Sequence, residues 1–404
     1  MKKSTFLLLA FFYSYALPAQ SPWQQLTTLP DSIYGSVTNA ANGKLYVNLG
    51  ARTLSYPSAM WGDCNFTNWE YRPTTDSWAA KARYPDTTVF VPYVNGNISC
   101  IINPAAAVVD DKIYIGGGIN EPSVGIIAFY HTRAYDPISD SWSNPSLQMQ
   151  PAQLFSTFVL NGNIHSLGGQ QRIPQTGTYN LYSHLYYNLQ SSVGIGLNPI
   201  PFPAVSAPSF VINNEAYLGP SSIIKKYNLG SDSWSDLVSL PQKPTACVAI
   251  DSVAYCLVGN RMIAYKPTHS NQYHLKSIVP FASYDNLYQN IAAINDTIYF
   301  KINEGELWRY IPALDTVDVL VSNTTTLKDN DLHFFPNPTN SMLYFDLPAN
   351  LETVTLRIYN VQGALVQEGL LRNKQCDVST FAAGLYILEL THEGGTWRAK
   401  FVKK

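Results

Sequence analysis

One short pattern recurs along the first 320 residues of this 404-residue chain. A tyrosine is followed five residues later by aspartate and seven residues later by tryptophan, and this triplet is complete at 71–78, 135–142 and 227–234. Weaker copies begin at Tyr187, Tyr265 and Tyr310, which makes six. Such repetition indicates a fold in which one supersecondary unit is stacked several times.

An apolar hairpin precedes each copy of the pattern. The hairpin turns carry Asp, Asn, Gly or Ser, as at Asp110–Asp111 and Asn213–Asn214, and β-branched and aromatic residues flank them. Each unit is therefore predicted to hold four strands, the third ending at the tyrosine and the fourth starting at the tryptophan. Only 13% of the residues are charged and another 13% are aromatic, which also favours an all-β fold.

These units resemble the kelch repeat, which has Gly-Gly after its second strand and a spaced Tyr and Trp. Double glycines stand at 116–118 and 168–169, whereas the last three units carry Leu218-Gly219, Val258-Gly259 and Lys301-Ile302 instead. The resemblance implies a six-bladed kelch-like β-propeller over residues 20–322. Its last blade is closed either by an N-terminal strand that starts at Trp23 or by the segment 316–321, and the sequence leaves both open.

The N-terminus has the order of a secretory signal peptide. Lys2 and Lys3 precede an apolar run over 6–12, and small residues follow at 17–19, so we expect cleavage after Ala19. Export makes disulfides the expected state of the cysteines. A two-residue turn at Asp251-Ser252 would place Cys247 opposite Cys256 in a hairpin. Cys64 and Cys100 are a second candidate pair between long loops, and Cys376 has no evident partner.

The last part of the chain is predicted to be a separate module. Residues 323–334 are polar and are expected to form a linker, and 335–404 show alternating apolar residues typical of six or seven short strands in an Ig-like β-sandwich. The segments 335–338, 356–363, 384–390 and 400–404 resemble, in order, the type A sorting domain of type IX secretion. The residues that carry the resemblance are Pro336, Asn337, Pro338, Gly363, Gly384, Tyr386 and Lys400.

That resemblance implies a Bacteroidota-like bacterium and a partner in the type IX secretion machinery. The module would cross the outer membrane with its passenger and then be removed, leaving the propeller on the cell surface or released. The net charge of −2 gives no basic field for nucleic acid or for an anionic membrane, and no transmembrane segment is expected. We expect a monomer.

Motifs for catalysis or metal binding are not found in the sequence. Patterns such as HExxH, CxxC and GxSxG do not occur, and the seven histidines are scattered without the spacing of metal ligands. We interpret His165, which lies in an apolar strand, as a hydrogen-bonded core residue. No cofactor or metal is predicted, and catalytic residues remain unknown.

Connection lengths point instead to one face of the propeller. The loops at about 50–69, 80–104, 117–130 and 169–183 are long and all belong to the same side, and long loops on a rigid scaffold are usually functional. Their aromatic, Arg and carboxylate side chains suit a sugar or protein ligand, or merely pack the loops down. The ligand-binding candidates are Arg52, Trp61, Asp63, Arg83, Tyr84, Asp86, Glu121 and Arg172.

Three functions follow from these features. The first is recognition of a glycan or a protein through the long loops, without chemistry. The second is a carbohydrate-active enzyme such as a sialic-acid mutarotase, which some kelch propellers resemble, and the third is a structural adhesin component.

Overall fold

The computed structural model describes residues 21–52, 64–85, 100–120, 127–128, 132–173, 177–268, 272–281, 287–322, 333–347, 354–371, 373–392 and 395–404. The chain divides into two compact units, Met1–Val321 and Ser322–Lys404. Strands dominate both units, and the helices in the described ranges are single 3-10 turns at Leu287–Gln289 and Pro312–Leu314. The all-β fold is therefore confirmed. Within these ranges, no helix has the length and apolar character needed to span a membrane.

The first unit contains six antiparallel sheets in chain order, which we number I to VI. Each sheet is given from its first to its last strand: I, Val37–Ala41, Lys44–Asn48, Asn68–Arg72 and Ser77–Lys81; II, Ala105–Val109, Lys112–Gly116, Arg133–Asp136 and Ser141–Ser143; III, Ser156–Leu160, Asn163–Leu167, His184–Asn188 and Val193–Gly196; IV, Ser209–Ile212, Glu215–Leu218, Ile223–Asn228 and Ser233–Ser239; V, Ala246–Ile250, Val253–Val258, Arg261–Tyr265, Gln272–Ile278 and Val319–Ser322; VI, Ile291–Ile294, Thr297–Ile302, Glu306–Tyr310 and Trp23–Leu26. Two further hairpins pair Ile119–Asn120 with Ile127–Ala128 and Gln170–Ile173 with Gly177–Asn180.

The first strands of the six sheets contact one another in a closed cycle. Each first strand touches that of the next sheet, and the first strand of sheet VI touches that of sheet I. The N-terminal strand Trp23–Leu26 is the outer strand of sheet VI, with Trp23 opposite Tyr310. The competing segment, Val319–Ser322, instead adds a fifth strand to sheet V. The first and last parts of this unit therefore meet in one sheet.

The complete Tyr, Asp and Trp pattern of sheets I and II joins each of these sheets to the one before it. In sheet II, Asp140 accepts hydrogen bonds from the Tyr135 hydroxyl (2.8 Å) and from the backbone N–H of Ala82 (2.9 Å), which follows the last strand of sheet I. The Trp142 Nε1–H donates to the Ala82 carbonyl (2.8 Å). Sheet I repeats this arrangement with Tyr71, Asp76 and Trp78 on Thr27, which follows the outer strand of sheet VI. The pattern found in the sequence is thus a contact between neighbouring sheets.

The double glycines allow close backbone approach after the second strand. Gly117 and Gly168 both have φ of +65°, and a Cβ at either position would lie 2.4 Å from an atom of the neighbouring connection, Phe155 Cε1 and the Ala204 carbonyl oxygen respectively. A side chain is therefore excluded by both space and backbone conformation.

Both predicted disulfides are present. Cys247 faces Cys256 in the expected hairpin register with a Cα–Cα distance of 4.1 Å, and Cys64 pairs with Cys100 at 4.7 Å. The second bond ties the connection within sheet I to the connection between sheets I and II. Cys376 is buried and unpaired.

The second unit has a three-stranded and a four-stranded sheet that share one apolar core. In order across the sheets, the strands are His333–Phe335, Met342–Asp346 and Gln375–Asp377, then Leu365–Leu370, Thr355–Asn360, Gly384–His392 and Gly395–Lys403. The Asn337 side chain bonds the backbone of the last strand at Lys400 (3.0 Å) and Val402 (2.9 Å). The Tyr386 ring stacks on Phe401. The opening and closing motifs of this module therefore meet at its last strand.

Candidate functional site

The strand order gives the first unit two distinct sides. Turns between first and second strands and between third and fourth strands lie on one side, which we call the short-turn side. Connections between second and third strands and from sheet to sheet lie on the other, the long-loop side. The strand bounds leave 49–67, 82–104, 117–132 and 168–183 as long connections there, against 219–222, 259–260 and 303–305 in sheets IV to VI. The predicted asymmetry in connection length is present.

A cavity of about 600 Å³ opens on the long-loop side where sheets VI and I adjoin. Its walls come from the connection that follows the N-terminal strand, from the turn at 303–305 and from the connection that enters sheet II. This volume lies in the range of ordinary small-ligand sites, about 300–1,000 Å³. The lining residues are Thr28, Leu29, Asp31, Ser32, Tyr34, Gly35, Ile102, Asn103, Asn290, Lys301, Asn303, Glu304, Gly305 and Glu306.

Lys301 holds two walls of the cavity together. Its side chain is buried, and its ammonium donates to the carbonyl of Ile33 and to that of Asn303 (2.9 Å). Burial lowers the pKa of Lys301 to about 7, although nearby Glu304 opposes that shift. A buried amine that titrates near neutral pH within a cavity is a feature of functional sites.

Glu304 presents its carboxylate at the exposed rim of the same cavity. One carboxylate oxygen accepts a hydrogen bond from the Tyr34 hydroxyl, and the other lies 3.4 Å from the Ser32 hydroxyl. The hydrogen bond to Glu304 raises the pKa of Tyr34, so this phenol stays protonated. The rim therefore combines an aromatic ring, hydroxyl groups and a carboxylate.

Asn290 forms the buried end of the cavity. Its side-chain oxygen accepts hydrogen bonds from the hydroxyls of Thr38 (2.8 Å) and Ser36 (3.2 Å), and its nitrogen donates to the Ser36 carbonyl (3.0 Å). These bonds join the start of sheet VI to the first strand of sheet I. The deep wall is thus fixed by polar contacts between the two sheets.

Arg52 is linked to this cavity by an ion pair with Asp31, which is one of the lining residues. The Arg52 guanidinium makes hydrogen bonds of 2.7–3.0 Å to both oxygens of the Asp31 carboxylate and one of 3.2 Å to the Cys64 carbonyl. It therefore ties the disulfide-linked connection to the wall that carries Asp31. This bidentate geometry fixes orientation as well as charge.

The other sequence candidates are not brought together in the described part of the chain. Tyr84 is buried and packs edge-on against Trp142, so its ring holds down the connection rather than facing a ligand. Arg83 beside it is exposed. Arg172 lies in the strand Gln170–Ile173, and only the backbone of this residue is described. Outside the described residues lie Trp61, Asp63, Asp86 and Glu121.

A second opening runs along the axis of the sheet cycle. This channel of about 400 Å³ is lined by the first strands of all six sheets. Its described lining holds no Asp, Glu, Lys, Arg or His side chain, and its polar groups are neutral, as at Thr38, Asn39 and Ser156. A site built from converging charges is therefore not found in the described lining of the axis.

Sequence reasoning missed the residues that form the cavity. Tyr34, Asn290, Lys301 and Glu304 belong to segments that are far apart in sequence, so no local spacing reveals them. One signal was available, because Lys301 occupies the place of the double glycine in a strand that is otherwise apolar.

The second unit matches a known family. Residues 333–404 correspond to the family described as secretion system C-terminal sorting domain. The match covers the four predicted motif segments from Pro336 to Lys400.

Other similarities extend over more of the chain. The chain is 22% identical over 313 residues to N-acetylneuraminate epimerase 1 of Escherichia coli O6:H1. The aligned region covers 70% of this chain and 74% of that protein. It is 23% identical over 254 residues to an F-box/kelch-repeat protein of Arabidopsis thaliana. That aligned region covers 56% of this chain and 48% of the Arabidopsis protein. A solved structure titled "Structure of YjhT" has a TM-score of 0.49 at 14% identity and covers 74% of this chain and 97% of its own.

A kelch-type propeller is indicated by the sequence repeats, by the closed cycle of sheets and by the similarity to a kelch-repeat protein. A sorting domain is indicated by the tail motifs and by the family match. The chain is therefore a kelch-type β-propeller protein with a type IX secretion sorting domain at its C-terminus, and it is exported to the cell surface or the extracellular space.

Proposed function

We propose that this protein is a recognition module that binds a glycan in the cavity between sheets VI and I. The observation that carries the proposal is the composition of the rim, where Tyr34, Ser32 and Glu304 adjoin one another in a cavity of about 600 Å³. Sugar hydroxyls pair with carboxylates, amides and hydroxyls, and a sugar ring stacks on an aromatic face. A protein ligand bound by the long loops is the other form of the same proposal.

Further expectations complete this proposal. The six sheets are the blades of a six-bladed propeller that occupies residues 20–322, and residues 335–404 are an Ig-like sandwich joined by the linker 323–334. Residues 1–19 act as a signal peptide for export in a Bacteroidota-like bacterium. The sorting domain contacts the type IX machinery and is then removed, which leaves the first unit on the cell surface or released.

A glycan array tests the binding proposal. The secreted protein, labelled and applied to the array, is expected to retain a small group of related glycans, whereas heat-denatured protein retains none. If the folded protein retains no glycan at any concentration, the glycan form of the proposal is wrong.

A second candidate is a carbohydrate-active enzyme of the sialic-acid mutarotase kind. The similarity to an N-acetylneuraminate epimerase supports it, and so does the amine of Lys301, whose pKa burial lowers to about 7. Proton NMR of N-acetylneuraminate would separate the two candidates. Faster exchange between its anomers with the wild type than with a Lys301→Met variant that is still folded would favour the enzyme.

A further inference from the structure

The Cys64–Cys100 disulfide joins two backbone segments that support the cavity between sheets VI and I. One segment belongs to the long connection within sheet I and the other to the connection between sheets I and II. Both cysteines are buried. Neither is among the residues that line the cavity, but Ile102 and Asn103, which follow closely after Cys100, do line it. The disulfide is therefore positioned to act on the cavity through the backbone.

On the side of the first cysteine, two backbone bridges lead to the cavity wall that carries Tyr34. Ala51 forms one antiparallel bridge with Cys64 and another with Tyr34. The second bridge has two hydrogen bonds, from the Tyr34 N–H to the Ala51 carbonyl (2.8 Å) and from the Ala51 N–H to the Tyr34 carbonyl (3.0 Å). The Arg52 guanidinium adds another link, because it donates to the Cys64 carbonyl and to the Asp31 carboxylate. A displacement of Cys64 would therefore move this wall.

The residues that follow the second cysteine bond to the same wall. The Ile101 carbonyl accepts a hydrogen bond from the backbone N–H of Gly50 (2.9 Å), and the backbone N–H of Asn103 donates to the Gly35 carbonyl (2.8 Å). Gly50 also lies close against the wall, since a Cβ at this position would be 2.3 Å from the Tyr34 carbonyl oxygen. The two walls are thus joined to each other directly and through the segment that holds Gly50.

A crosslink between long connections restricts the backbone more than a crosslink inside a sheet. The contacts between the two walls are isolated bridges and single hydrogen bonds, not a continuous ladder. Fixing long connections costs conformational entropy, and a disulfide lowers that cost by restricting the open states of the chain. Cys247–Cys256, by contrast, crosslinks two strands that already pair over five positions. The walls of the cavity therefore depend on their disulfide, whereas the hairpin in sheet V does not.

We propose that closure of the Cys64–Cys100 disulfide completes the cavity between sheets VI and I, so that the protein binds its glycan only after these two thiols are oxidised. The two thiols lose two protons and two electrons to a disulfide-bearing oxidant, whose own disulfide becomes two thiols. Disulfides persist in exported proteins and are rare in the cytosol, so the site is completed only after export. The inference rests on the glycan site proposed above, but the link between the disulfide and the cavity walls is measurable without a ligand.

Hydrogen–deuterium exchange of the full chain tests this link without a ligand. In a Cys64→Ala/Cys100→Ala variant, we expect the backbone amides that join the two walls to exchange at least ten-fold faster than in the wild type, because the bridges open more often. The matched control, Cys247→Ala/Cys256→Ala, removes the other buried disulfide and should leave these amides unchanged. Wild-type exchange at these amides, or faster exchange throughout the first unit, would overturn the proposal.

A glycan array tests whether the disulfide controls binding. For the glycans that the wild type retains, we expect Cys64→Ala/Cys100→Ala to need at least ten-fold more protein for a half-maximal signal, whereas the control variant should match the wild type. Undiminished binding by the folded Cys64→Ala/Cys100→Ala variant would overturn the proposal. If the wild type itself retains no glycan, the proposed function fails, and amide exchange alone decides the role of the disulfide.

Reversible reduction decides the question if the Cys64→Ala/Cys100→Ala variant does not fold. In the control variant, Cys64–Cys100 is the disulfide that remains and Cys376 is already a free thiol, so a phosphine reductant opens this bond alone. After reduction we expect faster exchange at the amides of the cavity walls and weaker signals on the array. Oxidised glutathione should restore both. Unchanged amide exchange after complete reduction would overturn the proposal.

Discussion

At the scale of single residues, the repeated aspartate has a structural task. The buried Asp315 of sheet VI accepts hydrogen bonds from the Tyr310 hydroxyl (2.6 Å) and from the backbone N–H groups of Ser277 (2.8 Å) and Val317 (2.9 Å). Burial opposes its ionisation, but these donors together hold the pKa of Asp315 below its usual range. The motif therefore marks contacts between sheets and does not mark the ligand site.

Replacing this carboxylate should weaken the first unit. For Asp315→Asn we expect a loss of about 1–3 kcal/mol in the free energy of unfolding, because one charged acceptor of three hydrogen bonds becomes a neutral amide. Urea unfolding measures it. The matched control is Asp296→Asn in an exposed turn of the same sheet, which should change stability by less than about 0.5 kcal/mol. Equal effects at the two positions would contradict the structural role of Asp315.

The buried histidine pair of sheet III, His165 and His184, should make stability depend on pH. Burial lowers the pKa of His165 to about 3 and of His184 to about 4. Near pH 6.5 and below, these histidines therefore bind protons in the unfolded chain but not in the folded protein. Stability should therefore fall as pH decreases from about 6.5 to 4. The nearest charge is Asp232, 3.9 Å from His184, and it only partly offsets this effect.

Urea unfolding at pH 7 and pH 4.5 measures the dependence. We expect the wild type to lose about 2.5 kcal/mol more than His165→Tyr over this interval, because pH 4.5 lies about two units below the unfolded pKa and each unit is worth 1.36 kcal/mol. His274→Gln, which changes a half-buried histidine of sheet V, should retain the dependence of the wild type. A His165→Tyr variant with the same dependence would show that the buried pair is protonated when folded.

At the scale of elements, the N-terminal strand closes the cycle of sheets. The sequence indicated two closing segments, because Trp23 resembles the tryptophans that start the fourth strands and 316–321 follows the last copy of the repeated pattern. Pairing decided between them: Trp23 stands opposite Tyr310 as Trp142 stands opposite Tyr135, and Val319–Ser322 extends sheet V. Local pattern predicts a strand, but its neighbours depend on contacts far along the chain.

Removing the tryptophan of this strand should destabilise sheet VI. Trp23 is buried against Phe281, Phe300 and Tyr310, and its Nε1–H donates to Ser277 (2.8 Å). For Trp23→Ala we expect a loss of about 3–5 kcal/mol, since a large buried ring leaves a cavity. Thermal unfolding compares it with Gln25→Ala at an exposed position of the same strand. Little change in both variants would mean that the strand does not close the sheet.

The sequence could predict only those features that depend on residues close together in the chain. The hairpins and the Cys247–Cys256 bond depend on two-residue turns, so local residues were sufficient. The cavity depends on Tyr34, Lys301 and Glu304, which meet only because the first and last sheets are neighbours. Loop length indicated the side of the first unit on which this cavity opens, but not the residues that line the cavity.

At the scale of the whole molecule, the sorting domain and the candidate ligand cavity lie in different units. The sorting domain match begins at residue 333, whereas the cavity and the axial channel belong to the first unit. Deleting 335–404 should therefore leave the first unit folded but retained in the periplasm. Cell fractionation with surface proteolysis measures this, and normal surface display of the truncated chain would contradict the export assignment.

The central claim is that the cavity between sheets VI and I is where the exported protein binds its ligand. The most direct measurement is the affinity of the best glycan for the wild type and for Glu304→Gln, with Glu215→Gln on the short-turn side as the matched control. We expect Glu304→Gln to weaken binding about ten-fold, equivalent to about 1.4 kcal/mol, and Glu215→Gln to leave it unchanged. Unchanged affinity in Glu304→Gln, or an equal loss in both variants, would contradict the account.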